Sequence, residues 1–467
     1  MPDPTTQAAV VLGTVVAAIA LFSAIARTLR RREGWSLGAL LGACFVILTF
    51  SFVQLLATYT NSWVEVTDVY RNVTLELPEW GQMCFRVVIL LIVPGGIALF
   101  LAGMARPDAQ VNIPAVLFII VLLVGLGSSL LNGDIPFQAF SVAYLSILLV
   151  CVFAPRGLSV HLGIATVCMV AAIASGIALV VHQDVSVIEC VAGHKCGVLG
   201  FNFRGVLGNE NALALYLALA MPFVYIGFGG WEGLVMSGYL AGLILLTGSR
   251  SGTLTAVVTF AVLVLVRPDI RRPKRTPVRS TLLSAFLISV FAVGLVLPLV
   301  VQDPTALSGR AALWQLARNT LADPAALAYG TGIFGWSHVH EAGLIDASAV
   351  YSVHNQWLHV LFSTGIIGLA FFLGVIAILL WQARNGYFLV AACVLVPVFI
   401  LSVTERPWPI DTADWLCWAV FGALLCYPVE RQKPSADSAE SIPEEDREPA
   451  SVTIGASRAH SEEEPRW

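Results

Sequence analysis

The chain is poor in charge. Of its 467 residues only 12% are Asp, Glu, Lys or Arg, against 57% hydrophobic. A soluble protein carries about a quarter charged residues. Lys and Arg total 26 and Asp and Glu 30, so charge is scarce rather than unbalanced, and the net charge of −4 says little. This scarcity excludes a soluble enzyme, a nucleic-acid-binding protein and a disulfide-rich secreted domain. Also missing are a Walker loop, a dinucleotide-binding glycine fingerprint and any His/Cys cluster at zinc spacing. An enzyme built from this sequence therefore needs a substrate that arrives already activated and delivered by the membrane. No inverted repeat of the kind common in secondary transporters is present.

What the sequence has instead is a succession of apolar runs, which predicts an all-α polytopic membrane protein rather than a β-barrel of short alternating segments. Thirteen spans are expected near 6–26, 36–57, 84–104, 112–131, 137–154, 158–182, 205–227, 233–247, 252–266, 280–301, 355–382, 386–403 and 412–428. The first lacks a basic segment before it and reads as a retained helix, not a cleaved signal peptide. Four arginines, Arg27, Arg30, Arg31 and Arg32, follow it and place that side in the cytoplasm. With strict alternation, fifteen basic residues fall inside, eight outside and three in the C-terminal tail. The chain then divides into ten spans over residues 1–301, an extracytoplasmic loop over 302–354, three spans over 355–430 and an acidic cytoplasmic tail over 431–467. From Pro434 the tail is rich in Pro, Ser, Ala and Glu, cannot bury a core and is expected to be disordered.

Seven of the nine cysteines fall in or beside spans, where a buried thiol needs no special explanation. Cys190 and Cys196 instead share an outer loop, six residues apart in an oxidising compartment. They are placed for a short-loop disulfide with a structural role.

Three polar clusters stand at the outer ends of spans. The first, Arg204-Gly205-Val206-Leu207-Gly208-Asn209-Glu210-Asn211, opens the seventh span. Such residues are expensive at membrane depth and point to a polar cavity; the structural alternative is a helix capped by Asn209 with Arg204 reaching to the interface. The second, Gly248-Ser249-Arg250-Ser251-Gly252, is a tight turn able to set backbone N–H groups beside a guanidinium, as a phosphate site requires. An ordinary hairpin with an interfacial Arg is the alternative, but an Arg on this side runs against the positive-inside bias. The third combines an amphipathic helix beginning at Arg310 with the loop exit His354-Asn355-Gln356-Trp357-Leu358-His359. His354 and Gly365 are eleven residues apart, about three helical turns, which predicts one shared helix face with His354 at its outer mouth. His359 falls on another face and is expected to pack or meet headgroups.

These residues resemble the O-antigen ligase and polymerase family: His354-Asn355, nine residues, then Gly365-x-x-Gly368 after a large outer loop, with Arg310, Gly248-Ser249-Arg250 and the Arg204 to Asn211 segment in support. The resemblance covers about residues 200–400. It implies a GT-C-like architecture of twelve spans, one fewer than counted here, in the bacterial cytoplasmic membrane. It implies an inverting, metal-independent glycosyltransferase without cofactor, whose partners are a polyprenyl-pyrophosphate-linked glycan donor and a glycan or glycolipid acceptor. By position, Arg250 and Arg310 would bind the pyrophosphate, with Arg204, Asn209 and Asn211 also lining the substrate site. His354 would deprotonate the acceptor hydroxyl, a task that suits an imidazole of ordinary pKa about 6.5. Glu210 is the competing base. Ligase and polymerase share this pattern, and a lipid-linked glycan transporter using the same arginines is the alternative of another class.

Overall fold

The computed structural model describes residues 2–30, 37–47, 52–67, 73–107, 109–134, 138–190, 196–197, 199–269, 272, 276–307, 309–341, 353–411, 413 and 415–427. The acidic tail expected after residue 430 lies outside them. Among the described residues, seven helices are long and apolar enough to cross a membrane: α1 (Pro4–Arg30), α4 (Glu79–Met104), α5 (Ile113–Leu131), α7 (Leu158–Val181), α9 (Glu210–Phe228), α12 (Pro277–Val300) and α16 (Gln356–Gln382). Five shorter apolar helices join them: α2 (Leu37–Val46), α6 (Ala139–Phe153), α10 (Gly230–Leu246), α11 (Arg250–Val266) and α17 (Phe388–Ser402). The remaining helices are α3 (Phe52–Tyr59), α8 (Gln183–Ser186), α13 (Arg310–Thr320), α14 (Pro324–Tyr329), α15 (Gly335–Glu341) and α18 (Cys417–Leu424).

Each stretch read from the sequence contains one of these helices, with two differences. The stretch 36–57 is a pair, α2 and α3, and the stretch 412–428 holds only the eight-residue α18. The all-α expectation is also corrected by two small antiparallel hairpins, β1 (Val64–Thr67) with β2 (Val73–Glu76) and β3 (Val187–Glu189) with β4 (Phe201–Phe203). Their runs of three or four residues are too short to show in a hydropathy profile dominated by flanking helices. Cys190 and Cys196 are joined by a disulfide between the strands of the second hairpin, with Cα atoms 5.4 Å apart.

The helix α9 is the central pillar. In its most apolar stretch 83% of residues are buried, against 17% in α4 and 22% in α12. A helix apolar all round and buried all round is a core element, while one apolar but exposed presents its side chains to hydrocarbon. Small residues set the closest contacts: a Cβ on Gly163 of α7 would lie 2.0 Å from the Ala39 carbonyl of α2. Backbones approach this closely only where side chains are absent.

The segment between α12 and α16 builds a second apolar cluster in which Trp314 and Ala317 of α13 meet Trp336, Val353, Leu358 and Phe362. Trp314 donates its indole N–H to the Val353 carbonyl at 2.9 Å. Beyond it, α14 and the turn after it wedge between α5 and α16. The Ser128 hydroxyl donates to the Tyr329 carbonyl, and the N–H groups of Thr331 and Gly332 donate to Phe362 and Ser363 of α16 at 2.8 and 3.0 Å. The α16 backbone breaks at Gly365, whose φ is +63°, and a Cβ there would stand 2.3 Å from the Ala328 carbonyl. The loop helix α14 thus makes its close approach to α16 at Gly365.

Candidate active site

Glu405, three residues past the end of α17, joins the site together. It is only 6% exposed. One carboxylate oxygen accepts from Arg310 Nη2 at 2.5 Å and from the Ser251 hydroxyl at 3.4 Å; the other accepts from His354 Nδ1 at 3.2 Å. Arg310 is the first residue of α13, Ser251 the second of α11, and His354 lies two before α16. Three helix N-termini thus meet at one carboxylate. Their dipoles add positive potential to the Arg310 charge, an arrangement suited to anions. Burial pushes the Glu405 carboxyl up, but the hydrogen bond from His354 and the charge of Arg310 outweigh it and hold the group below the usual glutamate value.

The placement of each side chain has a local cause. In α13 the buried residues Trp314, Ala317 and Leu321 follow Arg310 at four, seven and eleven positions, so Arg310 shares the stripe that faces inward. The amphipathic helix read from Arg310 onward is present with this face. His354 is not on a helix, correcting the expectation that it shares a face with Gly365. Its φ is +50°, a left-handed conformation that costs a non-glycine residue and is held by its surroundings. Asn355 does the holding. Its Oδ1 caps α16 by accepting from Leu358 N at 2.8 Å, while its Nδ2 donates to the carbonyls of Gly294 and Val403 at 2.9 and 3.0 Å. One buried amide therefore ties the start of α16 to α12 and to the turn that carries Glu405.

The second sequence cluster contributes Ser251 directly. Ser249 caps α11, accepting from Gly252 N at 3.4 Å, and Gly248, with φ +68°, lies against Asn202 and Gly197 of the disulfide-closed hairpin. Arg250, exposed, begins α11 immediately before Ser251.

The first cluster has a different role. Arg204 is 5% exposed, and its guanidinium donates to the carbonyls of Val185 at 2.5 Å and Asp184 at 3.3 Å. It stitches β4 to the segment after α7. Asn209 caps α9, accepting from the N–H groups of Asn211 and Ala212 at 2.9 and 3.0 Å. Glu210 sits in the first turn of α9 and, with Glu65 and Asp184, is one of the acids that act on the buried Arg204. Among the described residues, the junction at Glu405 is formed by Ser251, Arg310 and His354 rather than by this cluster.

Glu405 and Arg406 were not singled out from the sequence. Arg406 Nη1 donates to His359 Nε2 at 3.1 Å, so the imidazole expected to pack or meet headgroups is buried against a guanidinium. The signal available was an adjacent acid and base at the outer end of a span, followed by Pro407 and Pro409. Nothing in the sequence brings that turn to residues 251, 310 and 354.

Residues 235–373 match the family model described as O-antigen ligase. The matched segment contains Arg250, Ser251, Arg310 and His354 but ends before Glu405. No curated protein and no solved structure matches the chain.

Proposed function

We propose that the chain, similar over residues 235–373 to the O-antigen ligase family model, is a membrane glycosyltransferase working on the outer face of the bacterial cytoplasmic membrane. It would move a glycan from a polyprenyl-pyrophosphate carrier to an acceptor hydroxyl. The observation that carries the proposal is the Arg310–Glu405–His354 junction, three of whose four contributing residues, Ser251, Arg310 and His354, lie in the family-matched segment. A thirteen-span topology, with the loop 302–354 outside, puts this junction where a lipid-linked donor and an acceptor could meet.

In the proposed reaction the acceptor oxygen attacks the anomeric carbon as its proton passes to His354. The bond from that carbon to the pyrophosphate oxygen breaks, and the leaving pyrophosphate keeps the electron pair. The N–H at His354 Nδ1 donates to Glu405, which leaves Nε2 as the basic nitrogen. Arg250 and Arg310, beside the N-termini of α11 and α13, would neutralise the charge that develops on the leaving group. Attack from the face opposite the leaving group inverts the anomeric centre.

Purified protein supplied with a lipid-pyrophosphate glycan and an acceptor tests this reading. Released carrier pyrophosphate with a glycosylated acceptor is the expected result, and elongated lipid-linked chains instead would identify a polymerase. Movement of intact lipid-linked glycan across a bilayer, with no bond made, would sink the proposal in favour of a transporter. Accumulation of one lipid-linked glycan in a deletion strain would name the donor.

A further inference from the structure

We propose that Glu405 is a carboxylate held in exchange: Arg310 releases it when donor pyrophosphate binds, while Ser251 and His354 retain it, so that donor occupancy arms the base. This inference rests on the donor reading above and gives Glu405 and Ser251 positioning roles.

The division of the two carboxylate oxygens supports it. Among the described residues, Arg310 and Ser251 share one oxygen, at 2.5 and 3.4 Å, and His354 bonds the other at 3.2 Å. Withdrawal of Arg310 therefore strands neither oxygen. Arg310 has somewhere to go, since its side chain is 22% exposed while that of Glu405 is 8% exposed. A pyrophosphate offers a guanidinium more negative charge than one carboxylate, in bidentate geometry. The carboxylate cannot follow it into solvent and must find compensation where it is, because a buried anion without a partner is costly. Of the groups touching Glu405, His354 is the one that can become a cation by taking a proton. With Arg310 in place the carboxylate is already neutralised, and His354 gains less from protonation.

Arg406 adjoins Glu405 and is bonded to His359, and Arg250 adjoins Ser251, so two further cations stand next to residues of the junction. Bound pyrophosphate, an anion, would favour protonation of His354 even without any exchange. The two effects separate at Glu405, because the direct effect does not pass through that side chain.

The test is an NMR titration of His354 in the full chain in nanodiscs, with histidine-labelled protein and inorganic pyrophosphate as the probe. Saturating pyrophosphate is expected to raise the His354 midpoint by about one pH unit or more in the wild type. In Glu405→Gln the rise should largely vanish while pyrophosphate still binds. In Arg310→Gln the midpoint should start high and stay unresponsive, which carries the test if Glu405→Gln does not fold. Ser251→Ala should lower kcat several-fold with donor KM unchanged; an effect confined to KM would remove Ser251 from the exchange. An equal rise in Glu405→Gln would assign the effect to the anion itself and overturn the exchange. No rise in a wild type that binds pyrophosphate would overturn it too and leave the donor reading standing, whereas failure to bind pyrophosphate would end both.

Discussion

At the scale of single residues, His354 and Glu405 work as a pair that the backbone forces together. His354 pays a conformational cost for its left-handed φ, and the return is an imidazole aimed at a buried carboxylate. His354→Ala is expected to reach the membrane in normal amounts and to lose transfer activity by roughly 10²–10⁴-fold, the usual worth of a general base. An in vitro transfer assay normalised to membrane protein checks this, and wild-type turnover would refute the assignment. Glu405 makes an acid-sensitivity prediction whose sign follows from its depressed pKa. A carboxyl whose folded pKa lies below its unfolded value stabilises the fold above the ordinary glutamate range. That contribution is lost as pH falls through the depressed value. Thermal stability should therefore decline on acidification below about pH 4.5, and Glu405→Gln should flatten the decline while lowering stability near neutrality. Identical acid profiles for the two proteins would show that the ion pair contributes nothing.

At the scale of elements, the described part of the segment between α12 and α16 is built into the bundle. Its wedge, α14 and the turn following, takes the backbone carbonyls that the break in α16 frees at Phe362 and Ser363. Glycine at 365 makes this possible twice over, by tolerating φ +63° and by leaving room for the Ala328 carbonyl. Gly365→Ala should cost about 1–3 kcal/mol for the backbone conformation, with further loss from displacement of α14. Limited proteolysis of the segment 302–341 and a melting curve would register the change. Unaltered proteolysis and melting would mean that the wedge is not held there. The same wedge explains why a helical-wheel reading of His354 and Gly365 fails. The positive φ angles at both positions destroy the continuous 3.6-residue period on which such a reading depends.

For the molecule as a whole, α1 is an integral member of the bundle. Its buried residues Val10, Thr14, Ala17, Leu21, Ala24 and Thr28 form one stripe, and Thr14 bonds the Tyr239 hydroxyl of α10 at 3.0 Å. At its far end Arg27 pairs with the buried Glu232 at 3.0 Å and donates to the Phe228 carbonyl at 2.6 Å. Arg27→Ala leaves that carboxylate without its cation. Discounted for the partial exposure of Arg27, the loss should be about 1–3 kcal/mol. Melting should fall while donor affinity is unchanged, and a loss of donor affinity would tie α1 to the site instead. The sequence by itself predicts a helical membrane protein and marks Arg250, Arg310 and His354 as the polar residues to watch; the structure is mostly helical, with seven helices among the described residues long and apolar enough to cross a membrane. Those expectations rest on hydropathy and on the cost of charge at membrane depth, which act locally along the chain. The sequence could not show that Arg204 bonds the carbonyls of Val185 and Asp184 or that Asn209 caps α9, because a buried arginine bonded to carbonyls and one waiting for a ligand read alike. Nor could it find Glu405, more than fifty residues from His354. Only the packing of α11, α13, α16 and α17 places three side chains around one carboxylate, because contacts between distant parts of a chain are fixed by tertiary geometry rather than by local pattern.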